Sequence, residues 1–172
     1  MIKSVRVVSR GWVKKRKEQL TAKPDIAVIS IVDPQDSLIW DVREVVQSGD
    51  WLRALKFSDI EPSPFLRHGW MLDSQDCFMD GMQAKIIVEF IHRLMCAPRE
   101  VNLIIHCAAG ICRSGAIGKF AQPFSVMRDA EFALVNPQIQ PNMWVYNKLI
   151  EQWITSGLCK TMKPIQESEV EF

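Results

Sequence analysis

Val101-Asn102-Leu103-Ile104-Ile105-His106-Cys107-Ala108-Ala109-Gly110-Ile111-Cys112-Arg113-Ser114-Gly115-Ala116 is the stretch on which the reading of this chain turns. Val101 to His106 is a mostly apolar run of strand length, and a helix is expected to start near Arg113 after a short loop containing Gly110. A strand that feeds a helix through such a loop aims several backbone N–H groups, and the positive end of the helix dipole, at one point in space. That point is an anion site. Cys107 stands at its strand end and Arg113 at its helix end. Oriented N–H groups and a nearby cation lower a thiol's pKa from about 8.5, which makes it a thiolate nucleophile. The planar fork of Arg113 can hold two phosphoryl oxygens at once, and Ser114 adds a hydroxyl able to stabilise a departing thiolate.

His106-Cys107-Ala108-Ala109-Gly110-Ile111-Cys112-Arg113-Ser114 resembles the H-C-x5-R-[ST] signature loop of the cysteine-dependent protein phosphatases, the tyrosine and dual-specificity superfamily. Weaker similarity runs from about Ser30 to Trp153. Leu55-Lys56-Phe57-Ser58-Asp59 and Pro141-Asn142-Met143-Trp144-Val145-Tyr146 look like segments of small bacterial and phage dual-specificity-type members. The resemblance implies phosphomonoester hydrolysis through a phosphocysteine, without metal or other cofactor, on a phosphorylated protein or a small phosphomonoester. Cys107 would be the nucleophile. The loop Ala108, Ala109, Gly110, Ile111, Cys112, Arg113 and Ser114 would hold the phosphate, with His106 and Ser114 in support. The same residues also allow a phosphate-binding module without turnover, or a phosphatase of non-protein phosphoesters. A zinc site at His106, Cys107 and Cys112 lacks a second ligand pair at suitable spacing.

The resemblance also calls for an aspartic acid to protonate the leaving oxygen, and Asp59, Asp73, Asp76 and Asp80 are the candidates. Asp76 lies 31 residues before Cys107 and Asp59 lies 48, so linear spacing favours Asp76. We take Asp59, because it follows a strand at Leu55 to Phe57 and ligand groups in open α/β sheets sit at strand ends. With Asp59 as the acid, the extra residues would form an insertion around Pro62 to Leu72; Asp76 is the alternative acid. Asp73, Asp76 and Asp80 also stand where they could cap the next helix. Cys112 has two readings: a small buried side chain, or an oxidation partner for Cys107.

The rest of the chain is read outward from this loop. Its 172 residues suit one domain, expected over residues 1–157, followed by a loosely held tail over 158–172. A formal charge of +1 argues against binding driven by general attraction to nucleic acid or anionic membrane. Five cysteines without framework spacing, and no signal-peptide or membrane-spanning run, suggest the cytoplasm. Ser4 to Ser9 and Asp25 to Val32 read as strands, with Leu38 to Trp40 a brief one. Helices are expected at Lys14 to Leu20, Met79 to Met95, Arg113 to Gln122, Phe124 to Phe132 and from Pro141 to a stop at Gly157, with one helical turn at Val42 to Val46. The run Lys14-Lys15-Arg16-Lys17 reads as a solvated helix face, and His68 and His92 as ordinary surface or capping residues. Strands alternating with helices predict an α/β domain with a central, mostly parallel sheet of four or five strands flanked by helices, like the tyrosine phosphatases.

Overall fold

The computed structural model describes residues 1–41, 44, 51–60 and 78–158. Its strands are β1 (Ile2–Ser9), β2 (Ile26–Val32), β3 (Leu52–Lys56) and β4 (Val101–Cys107). They form one sheet in the order β1-β4-β2-β3, with every neighbouring pair parallel. The helices are α1 (Arg10–Lys14), α2 (Lys17–Ala22), α3 (Gly81–Met95), α4 (Arg113–Ala121), α5 (Asp129–Val135) and α6 (Met143–Thr155), with a 3-10 turn at Gln122–Phe124. This is the α/β arrangement that the sequence predicts, with four strands among the described residues.

Parallel strands need both faces covered, and the sheet divides its apolar side chains accordingly. Along β4, Val101, Leu103, Ile105 and Cys107 point into the larger core with Ala27, Ile29 and Ile31 of β2. The apolar stripe of α3 (Ala84, Ile87, Val88, Ile91, Leu94) and buried residues of α4 and α6 close that core. Ile104 and Val28 point the other way, into a smaller core made with Val13 of α1, Leu20 of α2 and Trp40. Gly118 lets α4 approach β1, since a Cβ there would lie 2.5 Å from Val7 Cγ2. Asp80 caps α3 by accepting from the Gln83 amide at 2.7 Å, while the Gln83 side chain accepts from the Asp80 amide at 3.0 Å.

Several expected elements differ. Leu38 to Trp40 is not a strand, because Trp40 is 2% exposed through packing under the sheet rather than through pairing with it. The single helix expected at Lys14 to Leu20 is two short ones that break at Lys15 and Arg16, and Gly11 lies inside the first. Phe124 to Phe132 is not one helix: Phe124 ends a 3-10 turn built around Pro123, Ser125 is extended, and α5 begins at Asp129 after Arg128, whose amide donates to Glu131. The last helix starts at Met143 rather than Pro141, with Asn142 as its cap. All but residue 44 of the expected turn at Val42 to Val46, together with the Pro62 to Leu72 insertion, His68, Asp73, Asp76 and the tail beyond Leu158, lies outside the described residues.

Candidate active site

Parallel pairing brings the carboxyl ends of all four strands to one edge of the sheet, and the site is built there. Ser9, the last residue of β1, pairs with Cys107, the last of β4. The next amide, that of Arg10, donates to Ala108 O at 3.1 Å and fixes the start of the loop. Gly110 then turns the chain at φ 78°, in the left-handed region. A Cβ there would sit 2.4 Å from the Val8 carbonyl carbon and 2.6 Å from the Ser9 nitrogen, so only glycine fits. The loop ends at α4, whose first turn has no side-chain cap, so its N–H groups face the cradle.

Cys107 is 2% exposed, and its Sγ lies 3.0 Å from Ser114 Oγ. Burial pushes its thiol pKa up, but hydrogen bonds from the Ser114 hydroxyl and from the amides of Ser114, Ile111 and Gly110 outweigh that, and the net direction is down. The loop thus shifts the thiol toward thiolate at a buried position. His106, beside it, faces the opposite side of the sheet. Its Nε2 lies 2.8 Å from Ser30 Oγ on β2 and its ring packs near Trp40. Burial lowers its pKa to about 4, partly opposed by a hydrogen bond with the Cys107 backbone and helped to a smaller degree by the charges of Arg10 and Arg113, so the ring is neutral. It braces the strand and carries no charge.

Arg113 is 3% exposed, and three acceptor contacts fix its plane. Nη1 donates to Asp33 Oδ1 at 3.0 Å and to Phe57 O at 2.6 Å, while Nη2 donates to Asp33 Oδ2 at 3.1 Å. Asp33 thus grips the outer edge of the guanidinium as a bidentate pair. A guanidinium has five N–H donors, so the Nε–H and one Nη2–H are left over, side by side on the remaining edge. Nε is buried and has no acceptor in hydrogen-bonding geometry. An oxyanion would satisfy it.

Asp59 follows β3 and Phe57 onto the same edge. Its Oδ2 is 4.0 Å from Arg113 Nε, and its Oδ1 accepts from Asn142 Nδ2 at 2.9 Å. Burial, followed by the charge and hydrogen bonding of Asp59, raises the Cys112 thiol's pKa, which keeps Cys112 protonated beside that carboxylate. Ala108 and Ala109 are exposed at the mouth and Ile111 is half-buried. Cavities of about 320 and 460 Å³ lie elsewhere, against Trp40 and Trp51 and against Phe132 and Pro141, and neither includes a residue of the loop.

Cys107, Ser114, Arg113 and Asp59 therefore meet at one edge, while Asp76 lies outside the described residues. Two contributors carry no role in the sequence reading: Asp33 on Arg113 and Asn142 on Asp59. The only signal for Asp33 is its place directly after the apolar run of β2, where side chains reach the strand-end crevice.

No protein-family model and no curated protein sequence matches the chain. Among solved structures it is similar to one described as Tk-PTP in the active form, a protein tyrosine phosphatase, at 16% identity and a TM-score of 0.50. The likeness covers 87% of this chain and 92% of that one. The fold is tyrosine-phosphatase-like. Within that fold the signature loop follows the central strand β4 and enters α4, with β1 on one side and β2 on the other. Among the described residues no helix is long and apolar enough to cross a membrane.

Proposed function

We propose that the chain is a cysteine-dependent phosphomonoesterase of the tyrosine or dual-specificity type, acting on phosphorylated protein. The observation that carries this reading is the pairing of a buried thiol, held toward thiolate by Ser114 and loop amides, with a buried arginine whose Nε–H lacks an acceptor. In the proposed reaction, Cys107 Sγ attacks phosphorus while the phosphorus–oxygen bond to the leaving group breaks. The electron pair stays on the leaving oxygen, which takes the proton of Asp59. Loop amides and the free edge of Arg113 hold the remaining phosphoryl oxygens. The Asp59 carboxylate then takes a proton from water, and the resulting hydroxyl displaces the thiolate from phosphorus. The Ser114 hydroxyl supports that thiolate as it leaves.

The test is hydrolysis of an activated aryl phosphate and of tyrosyl and alkyl phosphates. Activity should survive chelator, be blocked by vanadate, and vanish in Cys107→Ser, because a neutral hydroxyl is a far weaker nucleophile than a thiolate. Asp59→Asn should lose most turnover of the tyrosyl and alkyl esters and keep more on the activated ester, which needs little help to depart. Full activity in Cys107→Ser would overturn the mechanism. A wild-type leaving-group profile in Asp59→Asn would move the acid to another carboxylate, with Asp76 the first to try.

A further inference from the structure

The charge of the chain is unevenly spread. Residues 1–23 hold eight Lys and Arg against Glu18 alone, a formal +7, which leaves −6 for the rest. Part of this is neutralised by pairs: Lys3 with Glu100, Arg10 with Asp36, and Lys17 with Glu44. Among the described residues no carboxylate pairs with Arg6, Lys14, Lys15 or Arg16. Two of these gather on one indole. The guanidinium carbon of Arg16 is 4.5 Å from the Trp12 ring centroid, and that of Arg6 is 5.4 Å from it. Stacking holds both cations in place without cancelling their charge. Lys14 and Lys15 stand exposed next to them.

The position of this cluster gives it a use. α1 starts at the strand edge that carries the cradle, with Ser9 opposite Cys107 and the Arg10 amide on Ala108 O. At 1.5 Å per residue, Lys14 and Lys15 lie about 6–8 Å along the chain from that rim. An extended peptide advances about 3.3 Å per residue. A chain whose phosphorylated residue sits in the cradle would therefore bring residues about two positions away over α1.

We propose that the β1–α1–α2 face is a docking surface for acidic residues flanking the phosphorylated residue of a protein substrate. This rests on the phosphatase reading above and adds its preferred sequence context. Exposed lysines and stacked arginines around a half-buried tryptophan complement carboxylates on a short peptide. The compensating −6 elsewhere would repel a long polyanion or an anionic membrane, which must cover more of the molecule. The face also gives a positive approach to a substrate that must bring a dianion past Asp33, Asp36 and Asp59.

Paired phosphopeptides differing only in Glu or Gln at the flanking positions test this, with an activated aryl phosphate as control. In low salt, the wild type should show a KM for the Glu peptide about tenfold below that for the Gln peptide, the product of two or three partly screened charge contacts. The gap should close in 0.5 M salt. It should also close in Lys14→Glu/Lys15→Glu, which should leave aryl phosphate kinetics unchanged. Fluorescence anisotropy with labelled peptides and Cys107→Ser measures the same preference without turnover, so a failed phosphatase reading and a failed docking surface are told apart. Equal affinity for the two peptides, a preference that survives the double substitution, or tighter binding of a 5′-phosphorylated oligonucleotide or of anionic vesicles would each overturn the proposal.

Discussion

Asn142 shows how single residues tie this site together. Its Oδ1 accepts from the Val145 amide at 3.1 Å and caps α6, its Nδ2 donates to Asp59, and its backbone N donates to Cys112 O at 3.2 Å. A serine there would keep the cap, since Ser and Asn are equivalent N-caps, but is too short to reach Asp59. If Asp59 is the proton donor, Asn142→Ser should lower kcat for tyrosyl and alkyl phosphates about tenfold and spare the activated aryl ester, with stability within about 1 kcal/mol of wild type. A loss of the same size on both esters would assign Asn142 to the fold alone. His106 supplies a separate readout. A histidine whose pKa falls from 6.5 to about 4 on folding costs nothing above pH 6.5. Below that, the unfolded chain takes up a proton that the folded one refuses, so stability is lost as pH falls from 6.5 toward 4, by about 3 kcal/mol in full. Urea unfolding at pH 7 and pH 4.5 should show most of this loss in the wild type and little of it in His106→Asn. Parallel acid sensitivity in the two proteins would contradict the assignment.

At the scale of elements, much of the structure was legible because the pattern and the packing agree. β2 and β4 are apolar runs buried on both faces, and α3 repeats its apolar residues at helical spacing. The signature loop was legible because its task is local: Cys107, Gly110, Arg113 and Ser114 lie within eight consecutive residues, and the backbone that cradles an anion needs those residue types there. Where reading failed, a long-range contact decided. Trp40 packs in the smaller core with Ile104 and Val28, so its surroundings look like those of a strand while its backbone does not pair. Asp33 reaches Arg113 across 80 residues of sequence and Asn142 reaches Asp59 across 83, and no local pattern records such a pairing. Asp59 could be placed at the site only by assuming the strand that precedes it, and β3 ends at Lys56, three residues before it.

At the scale of the whole molecule, each strand delivers something to one edge: Ser9 and Arg10 from β1, Asp33 from β2, Phe57 O and Asp59 from β3, and the loop itself from β4. An anion held there would add a further link between these elements, so binding and folding stability should be linked. A ligand that binds only the folded chain adds about 2.7 kcal/mol at a hundred times its Kd. For a domain of this size that corresponds to a rise in Tm of about 5–10 °C. Inorganic phosphate or vanadate should therefore raise the Tm of the wild type by that order. The variants should then separate the contributions. Cys107→Ser removes a thiol that the loop favours as thiolate and leaves the donors in place, so its shift should equal or exceed that of the wild type. Arg113→Lys keeps one positive charge but loses both the grip on Asp33 and the two-donor edge, and its shift should fall to less than half. Scanning calorimetry across a phosphate titration gives all three curves. A shift that Arg113→Lys leaves intact would mean that the anion binds somewhere other than the free edge of Arg113.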